Sequence, residues 1–468
     1  MSSSFTIGAN IRREKTILGL GGTIEAEEYA RIVEKGTGRV IYSQKLDDWN
    51  WMSKRQRHAY KIRIERDARK KGYLDSHDPS SYQTEIVIDP AYTSQEVFQR
   101  AKESLKRDNK KNSRVHLFER PVYFRDIKFK PEKSNVPGID SSNMRLEYSG
   151  VVAQAAFEEI MNGRAVGIFS GTDTKDQFVR VMSFMIHGLP FPLVDTGSKR
   201  IIKHPATDAT MNVSDMLAVL DYDFNLACAV LDRKVMGHTM LKMQRAKGYV
   251  FEPNGMLIAS ANGDIDFSKG DKRAQAAILR QRELVRSNFS HPEIYPGAKY
   301  AEQAHMRFNF DPAEIDGWMK RKIPVNRAVI VSYPDGNVPE DVVPAIRRFT
   351  KDGGLIVIAP PEGNLITGSY VCGVDALNAG AMPSYGMDWR TAWAKLCWVS
   401  GQSDDRKEAM KLMQYNFVGE LMTEDIMTDF DEAYDILRRR KVERDDRDHT
   451  LRTDPLRELE TVAAGINA

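Results

Sequence analysis

Two glycine–threonine turns, each directly after an apolar run, constrain this sequence more than any other feature. Residues 16–20 lead into Gly21-Gly22-Thr23, and residues 165–169 lead, through a serine, into Gly171-Thr172-Asp173. Glycine lets the backbone turn sharply, and open α/β sheets place their ligands at the carboxyl ends of parallel strands. The turns therefore predict two threonine hydroxyls, one beside a carboxylate, in a nucleophilic site. For either turn alone, a plain strand-to-loop connection is the alternative.

Hydrophobic patterning along the chain predicts strands that alternate with helices. A strand at residues 164–169 follows a helical pattern at 147–162 and precedes another at 175–187. Strands separated by helices of this length are typical of a parallel sheet with helices on both faces. Near residue 325 the alternation restarts, which predicts a second, smaller α/β domain. The other predicted segments are strands at 16–20, 193–194, 327–333 and 355–359, one or two strands at 249–260, and helices at 212–231 and 340–350.

The two turns resemble the signature motifs of the L-asparaginase/glutaminase family, which includes a component of the archaeal glutamyl-tRNA amidotransferase. The resemblance covers roughly residues 15–43 and 136–400, and it implies a two-domain α/β fold with a larger N-terminal parallel-sheet domain. The segments that carry it are Gly21-Gly22-Thr23-Ile24, Asp140-Ser141-Ser142-Asn143-Met144, Gly171-Thr172-Asp173-Thr174, Ser183-Phe184-Met185, Thr196-Gly197-Ser198-Lys199-Arg200, Thr207-Asp208-Ala209, Asn212, Asp335-Gly336-Asn337-Val338-Pro339, Gly380-Ala381-Met382-Pro383, Gly386-Met387-Asp388 and Ala394-Lys395-Leu396.

The resemblance also implies a chemistry, the release of ammonia from a side-chain amide through a threonine nucleophile. It makes Thr23 the nucleophile and Thr172 its partner across the cleft, and Asp173 would hold the substrate's α-ammonium through a charge-assisted hydrogen bond. The further candidates are Ser141 and Ser142 for the α-carboxylate, Tyr29 on a loop after the first motif (with Tyr42 as a rival), and Asn337, donated by the smaller domain across a dimer contact.

One expected catalytic group, a lysine, has no aligned counterpart. The resemblance places that position near Ile265, so the nearest lysine, Lys269, becomes the candidate, with Lys272 further away. Ser170 also replaces the family's usual residue before Gly171. The prediction is therefore an asparaginase-like amidohydrolase, with two alternatives. One is a catalytically inactive scaffold or interaction protein, and the other is an amide-processing subunit that works with a nucleic-acid partner.

A basic insertion separates the first motif from the rest of the resemblance. The predicted division is an N-terminal domain of residues 1–44 and 136–300, an insertion at 45–135, a linker at 301–325, a C-terminal domain at 326–425 and a charged extension at 426–468. Nine Lys or Arg residues lie within 54–71, near Trp49, Trp51, Tyr60 and Tyr73. Such clusters can bind phosphates and stack bases, whereas a solvated helix face is the alternative. The insertion is thus predicted to form a separate lobe, or an ordered extension, that contacts a nucleic acid or a protein partner.

Composition adds few constraints. The net charge of the chain, +3, is too small by itself to require a polyanionic partner. The spacing of Cys228, Cys372 and Cys397 suits no metal site, and we expect neither a metal nor a cofactor. No secretory signal is visible, and no apolar run approaches the about 18 residues of a membrane span. We expect a cytoplasmic homodimer or homotetramer with a small-molecule amide substrate.

Overall fold

The computed structural model of the protein describes residues 15–19, 27–35, 37, 40–46, 54–74, 81–89, 115–117, 146–171, 175–188, 192–200, 207–222, 224–237, 242–244, 250–252, 256–261, 265–288, 295, 298–307, 310–322, 324–363, 370–422 and 430–439. The chain divides into two compact units. One comprises Met1–Val179 and Gly188–Pro292, and the other comprises Arg180–His187 and Glu293–Ala468.

The first unit contains strands and helices in alternation. In chain order the described elements are β1 Lys15–Gly19, β2 Glu27–Glu34, β3 Val40–Leu46, α1 Lys54–Lys70, β4 Tyr82–Asp89, β5 Val115–Leu117, α2 Leu146–Met161, β6 Ala165–Phe169, α3 Lys175–Met185 (which continues into the second unit), β7 Leu193–Thr196, α4 Ala209–Val219, β8 Ala227–Leu231, β9 Lys234–Gly237, β10 Lys242–Gln244, β11 Val250–Glu252, β12 Leu257–Ala261, β13 Ile265–Asp266 and α5 Lys272–Asn288.

An eight-stranded sheet, in the order β13-β12-β9-β8-β7-β6-β1-β5, forms the centre of this unit. Strands β5, β1, β6, β7 and β8 run parallel, and β9, β12 and β13 extend the sheet in antiparallel fashion. Every residue of β6 and β7 is buried, as expected for central parallel strands covered on both faces. The predicted α/β fold class is confirmed.

Helix α4 shows how the apolar pattern builds the core beside this sheet. Val213, Met216 and Leu217 on α4 are buried in one cluster with Phe169 and Val194 of the sheet. Burial of each such large apolar side chain contributes about 1.5–3 kcal/mol to folding. The predicted helix at 212–231 is wrong beyond Val219. Asn225 has a left-handed φ of 47°, a conformation that a right-handed helix cannot continue through, and β8 begins two residues later.

Strands β3, β2 and β4 form a separate three-stranded antiparallel sheet. Strand β4 pairs with β2 along its whole length, from Glu27 opposite Asp89 to Glu34 opposite Tyr82. Residues 45–135, predicted as an insertion that forms a separate lobe or an ordered extension, therefore share this sheet with the segment that precedes them. They also supply β5, which pairs with β1 in the eight-stranded sheet.

The second unit is built on a parallel sheet of four strands in the order β14-β15-β16-β17. Residues 301–325, predicted as a linker, contain β14, which pairs with β15. The described elements are β14 Glu302–His305, α6 Ala313–Trp318, β15 Arg327–Val331, α7 Val342–Lys351, β16 Leu355–Ala359, α8 Val371–Asn378, β17 Met382–Pro383, α9 Trp389–Gln402 and α10 Arg406–Gln414, followed by a helix over 430–439.

Candidate active site

The two strands that lead into the glycine–threonine turns are direct neighbours. Strands β1 and β6 pair in parallel with Lys15 opposite Ala165 and Gly19 opposite Phe169, so their carboxyl ends are level. Adjacent strands lie about 4.8 Å apart, and the chain leaves both strands at the same edge of the sheet. Thr23, Thr172, Asp173, Ser141 and Ser142 themselves lie outside the described residues.

A side-chain hydrogen bond joins the two residues that flank the segment 171–174. Ser170 follows β6, and Lys175 is the first residue of α3, so the two flank the segment 171–174. Lys175 Nζ donates to Ser170 Oγ at 2.6 Å. The same ammonium donates to Asp195 Oδ2 at 2.5 Å and to the Thr196 carbonyl at 3.0 Å. Ser170 Oγ in turn donates to Asp195 Oδ1 at 2.6 Å. We call Ser170, Lys175 and Asp195 the turn clamp.

The turn clamp is a charged group inside the core. The side chains of Lys175 and Asp195 have no exposed surface. Burial lowers the pKa of Lys175 and raises the pKa of Asp195, and the attraction between the two opposes each shift. A buried charge is tolerated when it is paired and fully hydrogen-bonded. All three ammonium donors of Lys175 have acceptors, so the clamp joins the ends of β6 and β7 to the start of α3.

Gly197 lies directly after β7, and the turn clamp occupies the space that a side chain at this position would fill. A Cβ atom at this position would lie 2.6 Å from the Ser170 carbonyl oxygen and 3.3 Å from Lys175 Nζ. The loop that follows is also held in place, because Asn212 Nδ2 donates to the Gly197 carbonyl at 2.9 Å and Asp208 Oδ1 accepts from the Lys199 amide at 3.0 Å. The resembling segments at 196–200 and 207–212 thus meet beside the second turn.

The remaining candidates lie in three different places. Tyr29 is a residue of β2, where it pairs with Lys45 and Val87. Lys269 is exposed on a short 3-10 helix that follows β13. Strand β13 is the far edge of the sheet, five strands from β6, or about 24 Å at the usual strand spacing. The structure therefore does not bring Lys269 to the second turn.

Asn337 belongs to the second unit. It follows a left-handed pair, Asp335 at φ 65° and Gly336 at φ 82°, in the connection after β15. Its side chain is half-buried, and Oδ1 has no hydrogen-bond partner among the described residues.

The described residues define no metal or membrane site. Among them, no group of three or more His, Cys, Asp or Glu side chains is arranged to hold a metal ion. In that same part of the chain, no helix is long and apolar enough to cross a membrane.

Sequence reasoning missed two members of the turn clamp and gave the third no role. Lys175 was placed in a predicted helix, and Asp195 lies in an apolar strand. The available signal was the pairing of two unusual residues: a carboxylate inside the run Leu193–Thr196 and a lysine three positions after Thr172. A charged residue in a buried strand needs an opposite charge nearby, and the residues that begin the helix after the neighbouring strand are close in space.

The fold defines a class of protein, the α/β proteins with two compact units, the first of which is built around an eight-stranded, mainly parallel sheet. The chain resembles the solved thermostable L-asparaginase from Thermococcus kodakarensis, with a TM-score of 0.59 and 18% identity over 88% of this chain and 100% of that one. This likeness concerns the fold alone. Residues 16–270, more than half of the chain, match the family profile described as "Asparaginase, N-terminal". The chain belongs to the asparaginase family.

Two sequence relatives indicate where the chain stands within this family. The D-type component of the glutamyl-tRNA(Gln) amidotransferase from Pyrococcus furiosus is 27% identical over 299 residues, which cover 60% of this chain and 65% of that protein. The L-asparaginase of Thermococcus kodakarensis is 24% identical over 302 residues, 62% of this chain and 86% of that protein. The match thus spans just under two thirds of the length of the amidotransferase component.

Proposed function

We propose that the protein is an amidohydrolase that releases ammonia from the side-chain amide of a small amino acid, asparagine or glutamine. Thr23 is the nucleophile in this proposal. Thr172 positions the attacking groups from the second turn, and Asp173 binds the substrate's α-ammonium. Ser141 and Ser142 bind the α-carboxylate. Tyr29, on β2, is a further catalytic residue.

The observation that carries the proposal is the pairing of β1 with β6. Because these strands are adjacent, parallel and level, the turns after them start about 4.8 Å apart. A nucleophile and its partner group must come within hydrogen-bond reach of one substrate. Neighbouring, level strand ends support such an arrangement of Thr23 and Thr172, and membership of the asparaginase family supports the same assignment.

The reaction has two balanced steps. Thr23 Oγ attacks the amide carbon, the hydroxyl proton passes to the leaving nitrogen, and the C–N bond breaks to release ammonia. An acyl ester remains on Thr23. Water then adds to this ester, the threonine oxygen recovers a proton, and the product leaves as a carboxylic acid. Formation of a covalent intermediate divides one difficult step into two easier ones.

The turn clamp has a positioning role in this reaction. It ties Ser170 and Lys175, the residues on either side of 171–174, to Asp195 on the next strand. A displacement of about 1 Å in a catalytic group can reduce the rate about 100-fold. The clamp keeps Thr172 and Asp173 in register with Thr23 and takes no part in bond making.

A second candidate function follows from the named relatives. The chain is 27% identical to a component of an amidotransferase. In this second function, the ammonia that the chain releases would be passed to a partner protein.

The half-buried Asn337, whose Oδ1 lacks a partner among the described residues, is consistent with a site completed by a second copy in a homodimer or homotetramer. We place this assembly in the cytoplasm.

A direct assay tests the proposal. Purified protein is incubated with L-asparagine or L-glutamine, and free ammonia is measured. We expect turnover by the unmodified protein and none by Thr23→Ala. The matched control is Thr37→Ala, which removes the same hydroxyl from an exposed site where it donates to Glu34. Absence of ammonia release from both substrates would favour the inactive scaffold, and turnover by Thr23→Ala would exclude Thr23 as the nucleophile.

A further inference from the structure

Helix α1 is the most basic of the described helices. Helix α1 holds eight Lys or Arg residues and two carboxylates in its 17 residues, a formal charge of +6. The whole chain carries only +3, so everything outside α1 is net negative. A charge difference of this size within one protein creates a local positive potential that attracts polyanions.

Four of the five cations of α1 described at side-chain level are exposed to solvent. Ile64 and Ala68 are buried and mark the face that packs inward. Arg63, Arg66 and Lys70 are exposed, and their spacing of three and four residues places them on one face of the helix. The face spans about 10 Å along the helix axis.

The ion pair between Arg63 and Asp67 on this helix is long and open to solvent. Arg63 Nε lies 4.0 Å from Asp67 Oδ2, and the Arg63 side chain is 72% exposed. An exposed ion pair of this kind contributes little energy and is easily screened by salt. This ion pair therefore contributes little to holding the Arg63 side chain in place.

The end of α1 is held against the three-stranded sheet. Lys71 Nζ donates to the Tyr42 hydroxyl at 3.2 Å, and Tyr42 is almost fully buried on β3. The Tyr42 and Tyr73 rings lie 5.2 Å apart. Tyr73 remains 50% exposed, so an aromatic ring follows directly after the basic helix, a combination that nucleic-acid-binding surfaces use for stacking.

We propose that the exposed face of α1, formed by Arg63, Arg66 and Lys70, binds the phosphate backbone of a nucleic acid. The contacts are to phosphates, so they carry no base specificity. The proposal is independent of the amide chemistry, since it uses none of the residues assigned to the active site.

Fluorescence anisotropy with labelled single strands of RNA and DNA, and with a DNA duplex, tests this surface. We expect binding at low salt that weakens steeply between about 50 and 200 mM salt, because each neutralised phosphate releases counterions. The variant Arg63→Gln/Arg66→Gln/Lys70→Gln should bind more weakly to all sequences about equally. The slope of log affinity against log salt should fall by about 2–3.

A second triple variant distinguishes loss of this surface from a general loss of positive charge. Arg347→Gln/Lys351→Gln/Lys407→Gln removes three cations from exposed positions on α7 and α10, with the same change in net charge. We expect it to bind like the unmodified protein. Equal weakening by both triple variants would overturn the proposal, as would no binding at low salt or an affinity that does not respond to salt. A difference between the RNA and DNA arms would identify which nucleic acid is preferred.

Discussion

Lys175 Nζ and Asp195 Oδ2 lie 2.5 Å apart with no exposed surface on either side chain, and in the sequence Lys175 follows closely after Thr172 and Asp173. Both side chains also contact Ser170 Oγ. The ion pair therefore sits where it affects the geometry of the proposed active site as well as the stability of the fold, and the two effects can be separated experimentally.

Stability should depend on whether the clamp is broken or replaced. Asp195→Val alone leaves a buried ammonium unpaired and should cost about 3–5 kcal/mol of unfolding free energy. Ser170→Ala/Lys175→Met/Asp195→Val removes all three polar groups together, and such apolar replacement is typically neutral or stabilising. Urea unfolding of the three proteins measures the difference. A triple variant as unstable as the single one would contradict this assignment.

Activity should follow a different pattern. In the triple variant the fold persists but 171–174 is no longer tied at its base, so we expect kcat to fall about 100-fold. The assay is ammonia release under saturating substrate, with thermal melting as the control for folding. Unchanged kcat in a stable triple variant would show that the clamp is purely structural.

Substitution of Lys175 in the turn clamp and of Lys269, the catalytic candidate from the sequence, should have different effects. Lys175→Met should lose both stability and turnover, because it leaves Asp195 buried without its partner. Lys269→Met removes an exposed side chain at the far edge of the sheet, so kcat/KM and the melting temperature should stay as in the unmodified protein. A loss of turnover confined to Lys269→Met would restore that residue to the active site.

Substitution of Gly197 tests the close packing around the turn clamp and leaves its charges unchanged. In Gly197→Ala the new methyl group would meet the Ser170 carbonyl oxygen at 2.6 Å, so the clamp must shift, and we expect lower stability and lower turnover. Gly317→Ala on α6 is the matched control, since nothing lies within 4 Å of its Cβ and alanine in a helix gains about 0.5–1 kcal/mol over glycine. Equal melting temperatures for the two variants would argue against close packing at Gly197.

His187 should make the second unit sensitive to acid. Burial among aromatic rings, including Phe417 at 4.7 Å, lowers the pKa of His187 from 6.5 to about 4. Between these values the unfolded chain binds a proton that the folded chain does not, so stability falls as pH decreases through this window. The loss amounts to about 3 kcal/mol.

Comparison of His187→Phe with the unmodified protein isolates this effect. Other groups, such as Asp215, whose pKa is raised to about 6 mainly by burial, titrate in both proteins and cancel in the difference. Urea unfolding at several pH values should show a shallower acid loss for the variant. Parallel stability curves for the two proteins would refute the role of His187.

Much of the fold could be predicted because buried parallel strands have a strong apolar signal. The strand predicted at 164–169 matches β6 to within one residue, and the strand predicted at 355–359 coincides with β16. The helix predicted through residue 231 failed because its second half is also apolar, and short apolar runs do not distinguish strand from helix. Pairing between distant segments, such as β5 with β1, leaves no local pattern in the sequence.

The candidate site was only partly predictable for a similar reason. Glycine–threonine segments after apolar runs are recognisable from local sequence, and the structure describes the strands β1 and β6 that precede them. The clamp depends on contact between Lys175 and Asp195, 20 positions apart, and proximity of that kind is a property of strand order. The position of Lys269 could not be predicted for the same reason. It is close in sequence to the expected lysine position near Ile265, but it follows β13, which strand order places at the far edge of the sheet.

The most direct test of the central claim is a double-mutant cycle on ammonia release with Thr23→Ala, Thr172→Ala and the variant that combines them. Residues that act as one catalytic unit are strongly non-additive, so we expect each single variant to lose nearly all turnover and the double variant to lose little more. Losses in kcat/KM that simply multiply would mean that the two threonines act independently. An unmodified protein that releases no ammonia from either amide would contradict the account altogether.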